Sequence, residues 1–343
     1  MMCSLAVTYI SSPLRGETWP TPKLRRVTGT IYEWFGFRTE DRSVAAATAA
    51  SNEHCPFVDA RCTKTGGQGV RTGVCSVQPT RSSERVAVCP KRLYFDSFRM
   101  LADIAADAFS GRPFNSDQGG RPLLVPADQA KKMARLTGVS QVGVFGGEGW
   151  GGEINLPPAV QGGASYKVDF TLVLVSPSGA LEAFAPVEVQ SIDTTGSTSV
   201  ARAALDIGRR VVLDSVGLNW ENVSKRIIPQ LIFKGLMLQG EARCETGMYF
   251  VTPDPVFRRV MMRLGNDSLT RLRQIPKQPG SITFISYDFD LADAPTDGEP
   301  VPVKVRNSLT ISTSDMSLAF ITPENLPVPG SYERKIATKL AAT

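Results

Sequence analysis

Four of the six cysteines in this chain, Cys55, Cys62, Cys75 and Cys89, fall within 35 residues, spaced C-x6-C-x12-C-x13-C. The surrounding stretch, 51–93, is rich in Gly, Ser, Thr and Arg and has little hydrophobic periodicity. Such a segment cannot bury enough apolar surface to hold itself together and needs a staple. Four thiolates meet the needs of a tetrahedral zinc or iron ion, whose binding energy becomes folding energy. The close C-x-x-C pairs of a zinc ribbon are absent, although Cys55 and Cys89 are each followed by proline. Buried thiols and two disulfides are the other readings. A reducing compartment disfavours disulfides, and four cysteines in a tenth of the chain argue against chance burial. His54, beside Cys55, could replace a ligand but reads more simply as a surface residue. Cys3 and Cys244 are isolated and structural in this reading.

The chain has 343 residues, 42% hydrophobic and 21% charged, with a mean hydropathy of −0.07. These are globular values for one large domain with an insertion or for two domains. The composition break near residue 93 suggests an N-terminal region, 1–93, that carries the metal-binding segment 51–93. A larger α/β domain, 94–343, follows. No apolar run reaches the ~18 residues of a membrane span. The first residues lack the basic-then-apolar pattern of a signal peptide, so a cytoplasmic location is expected.

A single histidine, His54, removes most catalytic options. It excludes the two-histidine zinc proteases, and any Ser-His or Cys-His nucleophile would have to use that one residue. Hydrolytic chemistry must then rest on carboxylates and a metal. The net charge is +5, and it is uneven. The first hundred residues hold 14 Lys and Arg against 8 acids, and the remainder 24 against 25. Arg makes up 26 of the 38 basic residues. Arg suits bidentate phosphate and guanine contacts, so a basic N-terminal third suggests a nucleic-acid partner. An ordinary solvated surface in an Arg-rich composition is the plainer alternative.

Periodicity predicts helices over 94–109, 126–136, 199–216, 227–238 and 253–264, and strands over 141–145, 166–175, 180–190, 247–251, 281–289 and 301–311. The tail from Pro323 reads as irregular. Strands 166–175 and 180–190 form a hairpin around a Ser-Pro-Ser-Gly turn. Its first strand carries Asp169 within an apolar run, and its second ends Val187-Glu188-Val189-Gln190. Period two places Glu188 and Gln190 on one face, and the hairpin can bring Asp169 beside them. A buried carboxylate is costly unless paired, and two facing each other call for a cation. Mg2+ takes such oxygen ligands and can hold a phosphate and a water. Asp followed by Glu-x-Lys/Gln on the next strand is the pattern of the PD-(D/E)xK nucleases, with Gln190 here in the lysine position. Alone, the pattern is weak.

A longer set of features makes the chain resemble the NotI-like type II restriction endonucleases over roughly 52–265. In order, these are Cys-Pro-Phe at 55–57, Arg-Thr-Gly-Val-Cys at 71–75, Val-Cys-Pro-Lys-Arg at 88–92 and Gly-Gly-Glu at 151–153. Asp-Phe-Thr-Leu at 169–172, Val-Glu-Val-Gln at 187–190 and Asn-Val-Ser-Lys-Arg at 222–226 complete them. The resemblance implies a PD-(D/E)xK core, a mixed sheet flanked by helices, and a homodimer cutting double-stranded DNA at a GC-rich palindrome. It implies a catalytic set of Glu153, Asp169, Glu188 and Gln190, in which Asp169, Glu188 and the Val189 carbonyl bind Mg2+. It further implies structural iron on Cys55, Cys62, Cys75 and Cys89, for which zinc remains an alternative, no nucleotide cofactor, and a bacterial cytoplasm. Lys225 and Arg226, together with Lys91 and Arg92 from the basic cysteine segment, become candidate DNA contacts. The resemblance is poor at the N-terminus and beyond about 290. Two other functions stay open: a non-catalytic, metal-stapled DNA-binding protein, and a repair or defence nuclease without sequence specificity.

Overall fold

The computed structural model describes residues 28–66, 69–147, 149–156, 166–265, 271–292, 295–324 and 326–341. Its N-terminal part is a four-stranded sheet of β1 (Gly29–Trp34), β2 (Phe37–Arg38), β3 (Val74–Pro79) and β4 (Val86–Ala87), in the order β2-β1-β3-β4. Helix α1 (Val44–Ser51) lies between β2 and β3, and the Ser43 hydroxyl caps it by accepting from the Ala46 amide at 3.1 Å. The cysteine segment threads through and beyond this sheet.

A 3-10 turn over Pro90–Tyr94 leads into α2 (Phe95–Ala108). Asp96, Ser97 and Phe98 take left-handed backbone angles there, so the regular helix starts after them. Then come β5 (Leu124–Pro126), α3 (Ala127–Thr137), β6 (Gln141–Gly146), β7 (Phe170–Val175), β8 (Leu181–Val189), α4 (Ser199–Asp206) and α5 (Ile228–Leu238). They are followed by β9 (Met248–Pro253), α6 (Asp254–Arg263), β10 (Ser281–Phe289), β11 (Val303–Ser312), α7 (Thr313–Ile321) and α8 (Ser331–Leu340). Seven strands form one mixed sheet in the order β11-β10-β9-β8-β7-β6-β5. Strands β6, β7 and β8 are an antiparallel meander. The chain then crosses through α5 to β9, which pairs parallel with β8.

The alternation of β7 and β8 sorts their side chains between two layers. Phe170, Leu172, Leu174, Ala185, Val187 and Val189 pack with Leu101, Ile104 and Ala105 of α2. On the opposite face, Phe250, Ile282, Phe284 and Ile311 pack with Leu231 of α5, Val256 of α6 and Met316 of α7. Each fully buried Leu, Ile or Phe is worth about 1.5–3 kcal/mol by transfer. Helix α5 sits close to α7 because residue 235 is glycine: a Cβ there would lie 2.5 Å from the Thr313 hydroxyl. Both buried clusters draw residues from each side of residue 93. The boundary expected there separates two sheets that share their core.

The helices expected at 227–238 and 253–264 are found within two residues, and the expected hairpin forms, with its first strand starting at Phe170, four residues later than expected. The helix expected over 199–216 stops at Asp206. Gly208 and Arg209 turn with positive φ, and Asp214 folds back to accept from the Val200 and Ala201 amides at the helix start. The tail is not irregular, since α8 forms after the left-handed Gly330. Among the described residues, no helix is long and apolar enough to cross a membrane.

Candidate active site and thiol cluster

Asp169 stands immediately before β7, and Glu188 is the next-to-last residue of β8. Antiparallel pairing sets Phe170 opposite Val187, which brings the two acids to the same sheet edge. The Val189 amide donates to Asp169 Oδ2 at 2.8 Å. This hydrogen bond fixes the Asp169 carboxylate against the end of β8. Glu188 alternates with Val187 and Val189, so its side chain leaves the α2 layer and points toward α5. There Lys234 Nζ donates to Glu188 Oε1 at 2.6 Å, with both side chains buried. The other oxygen, Oε2, is buried and has no hydrogen-bond partner.

The electrostatics follow from this arrangement. Burial is the largest influence on Glu188, and the neighbouring Asp169 charge adds to it. Together they push its carboxyl up to about 7 against the opposing Lys234 ammonium. Burial likewise raises Asp169, against the Val189 amide and Lys234, with Glu153 adding to the rise. Two carboxylates and one ammonium leave the pocket one negative charge in excess. An orphaned, desolvated oxygen in such a place suits a cation ligand.

Glu153 lies at the rim. It is reached by a glycine loop after β6, in which the Gly152 amide donates to the Gly146 carbonyl at 2.9 Å. Gly146 is required there, because a Cβ would lie 2.4 Å from the Phe170 ring. Trp150 anchors the loop edge-on against Phe98 at 5.5 Å. Glu153 is exposed and pairs with Lys167 at 3.1 Å. Gln190 is placed differently from the lysine position assigned to it. Its side-chain amide donates to the Ser191 carbonyl at 3.1 Å, and no hydrogen bond joins it to either acid among the described residues. The cation beside the acids is Lys234, which the sequence reading passed over. Its signal was present, as a lone lysine inside Ile-Pro-Gln-Leu-Ile-Phe-Lys-Gly-Leu-Met-Leu.

The four cysteines are all buried and unbridged. Each lies within electrostatic reach of at least one other: Cys55 of Cys62 and Cys89, Cys75 of Cys89 and Cys55, and Cys89 of Cys62. Burial dominates and pushes Cys55 up to about 11, with Cys75 and Cys89 also raised. Backbone amides oppose it, those of Phe57 and Val58 toward Cys55, Gly36 toward Cys75 and Lys91 toward Cys89. Amides aimed at sulfur favour the thiolate. Among the described residues, no three His, Cys, Asp or Glu side chains are gathered tightly enough to hold an ion as they stand. His54 turns away to Asp59 at 3.5 Å. Cys3 lies outside the described residues.

Arg92 requires a correction. It cannot touch DNA, because its side chain is 0% exposed. Its guanidinium Nε donates to both oxygens of the equally buried Glu33, at 2.9 and 2.8 Å, and Nη2 donates to the Val301 carbonyl. Ser76 donates to Glu33 at 2.7 Å. The Phe57 and Phe289 rings lie 4.8 and 5.0 Å from the guanidinium carbon. Arg92 therefore ties the N-terminal sheet to the segment before β11. Lys91 is half-buried. Lys225 and Arg226 are exposed; Lys225 pairs with Glu221 at 2.5 Å and Arg226 with Asp193 at 3.2 Å.

Comparison with protein-family models finds no match, and comparison with curated proteins finds no significant relative. The functional reading therefore rests on the residues themselves.

Proposed function

We propose that this protein is a Mg2+-dependent DNA endonuclease of the PD-(D/E)xK type, making site-specific double-strand cuts as NotI-like enzymes do. The observation that carries the reading is Glu188: a buried carboxylate with one oxygen held by Lys234, the other unpartnered, and Asp169 beside it. The order helix, three-stranded meander, crossover helix and parallel strand, with the acids where β7 begins and β8 ends, supports it further. So does the single histidine, which leaves carboxylates as the available machinery.

Asp169, Glu188 and the Val189 carbonyl would hold the cation. When bound, Mg2+ supplies Lewis acidity toward a phosphate oxygen and lowers the pKa of a water. The residues around it do the rest. The Val189 amide keeps Asp169 in one orientation. Lys234 compensates the charge of Glu188, and its ammonium, near both acids, can stabilise negative charge developing on the phosphoryl oxygens. Glu153, at the rim beside Lys167, adds negative charge toward the same point. Cys55, Cys62, Cys75 and Cys89 would bind iron or zinc as a structural staple, with the amides of Phe57, Val58, Gly36 and Lys91 stabilising the thiolates. The homodimer and the GC-rich target follow from the resemblance alone.

Incubation of supercoiled plasmid with the purified protein, with and without Mg2+, tests the reading. Discrete linear products that require Mg2+ and carry 5′-phosphates are expected. A gel shift without cleavage would instead favour a metal-stapled binding protein, and a smear a nuclease without specificity.

A further inference from the structure

Val223–Ile227 is a π-helical turn, with Asn222 at its N-cap, that continues directly into α5, the helix carrying Lys234. The chain leaving β8 past Gln190 is pinned to this turn. Asp193 accepts from Asn222 at 2.5 Å and pairs with Arg226 at 3.2 Å. Between the turn and α6 lies a cleft of about 390 Å³, lined by Trp220, Ser224, Lys225, Arg259 and Arg263 among others. Lys225 is neutralised by Glu221. The two arginines are not: among the described residues, no carboxylate pairs with Arg259 or Arg263. Arg259 lies 5.9 Å from the Trp220 ring centre. Arg263 donates through Nε to the Ser224 hydroxyl at 3.1 Å and stands 5.1 Å from the Phe320 ring. Those contacts hold the two guanidinium groups in place.

The neighbouring arginine on α6 and one on β11 are matched. Arg258, one residue from Arg259, pairs with both Glu84 and Asp254, and Arg306 pairs with Asp288. Two positioned guanidinium groups with no ion-pair partner among the described residues face one cleft, and their planar forks fit phosphate. Lys225 and Lys234 are nine residues apart, roughly 13 Å along a helix. That span is the axial rise of about four base pairs.

We propose that this cleft clamps backbone phosphates of duplex DNA a few base pairs from the cut, through Arg259 and Arg263. The proposal rests on the nuclease reading and names the surface by which that site would hold its substrate. The contacts are to phosphate, so they set affinity and register and carry no sequence preference. Because the π-turn is the start of the Lys234 helix, DNA seated in the cleft is coupled through one rigid element to the catalytic edge.

The test is fluorescence anisotropy of a duplex oligonucleotide with Ca2+ in place of Mg2+, repeated over a range of salt concentrations. The variants are Arg259→Gln/Arg263→Gln and, as a charge-matched control on α3, Lys131→Gln/Lys132→Gln. Each lost phosphate contact should lower the slope of log affinity against log salt by about 0.9. The arginine pair should therefore bind about 30-fold more weakly at 0.15 M salt, counting from 1 M. Arg259→Lys/Arg263→Lys, which keeps the charge, should restore most of the slope. A wild type that binds and cuts while the glutamine pair keeps its slope and affinity overturns the clamp and leaves the nuclease reading standing. A wild type that neither binds nor cuts DNA overturns both.

Discussion

Lys234 Nζ lies 2.6 Å from Glu188 Oε1, so the cation of the acidic pocket comes from the crossover helix and not from the strand that carries Glu188. The usual expectation for Glu-x-Lys/Gln is that the second residue supplies the polar partner. Here Gln190 bonds to its own neighbour, and α5 places the lysine from 46 residues downstream.

Lys234→Met should abolish cleavage and destabilise the fold. It removes the partner of a buried carboxylate, a change that costs about 3–5 kcal/mol. Thermal unfolding and cleavage assays on the same preparation check this. Gln190→Ala should by contrast cost little stability, because its side chain makes only a local bond. A Lys234→Met variant that cuts and melts like the wild type would contradict the arrangement.

The pocket also predicts a pH dependence without added divalent cation. Glu188 is raised from 4.5 to about 7 in the folded protein. Between those values the native state keeps a proton that the unfolded chain has lost. Stability should therefore fall as pH rises through that window, by about 3 kcal/mol at most. Asp169→Asn removes the neighbouring like charge and leaves the Lys234 pair intact. It should melt at a higher temperature than the wild type at pH 8 and at about the same temperature at pH 4. Mg2+ should raise the wild-type melting temperature at pH 8 and leave Asp169→Asn unmoved.

Metal analysis of the purified protein should find one iron or zinc per chain. A ferric tetrathiolate would be red and zinc colourless. Cys75→Ser or Cys89→Ser should lose the ion and unfold at a markedly lower temperature, since structural metal binding is folding energy. A metal-free protein with wild-type stability would leave the four cysteines as ordinary core residues.

Arg92→Lys should destabilise the protein by about 1–3 kcal/mol, because a lysine keeps the charge but cannot meet both Glu33 and the Val301 carbonyl within a buried site. The salt dependence of DNA binding should not change. A variant with normal stability and weakened DNA affinity would restore Arg92 to the surface role that its burial denies it.

Local pattern made much of the acidic pocket legible in the sequence. Asp169 directly precedes an apolar strand, the Ser-Pro-Ser-Gly turn fixes the hairpin, and period two separates Glu188 from Val187 and Val189. Lys234 was hidden because its meaning depends on how α5 crosses the sheet, a contact between residues far apart in sequence. Arg92 was misread for the same reason. Its partner Glu33 lies 59 residues upstream on β1, a strand the sequence reading did not identify. Helix α4 ended early because Asp214, eight residues beyond it, caps its start, and helical periodicity carries no information about that return.

The most direct measurement is the single-turnover rate of plasmid cleavage in Mg2+ by wild type and Asp169→Asn, at DNA concentrations that saturate both. The wild type should generate 5′-phosphate and 3′-hydroxyl ends at fixed positions. Asp169→Asn, folded and bound to the same DNA, should generate none. Equal rates from the two proteins would show that the carboxylate pair is not where the phosphodiester is broken.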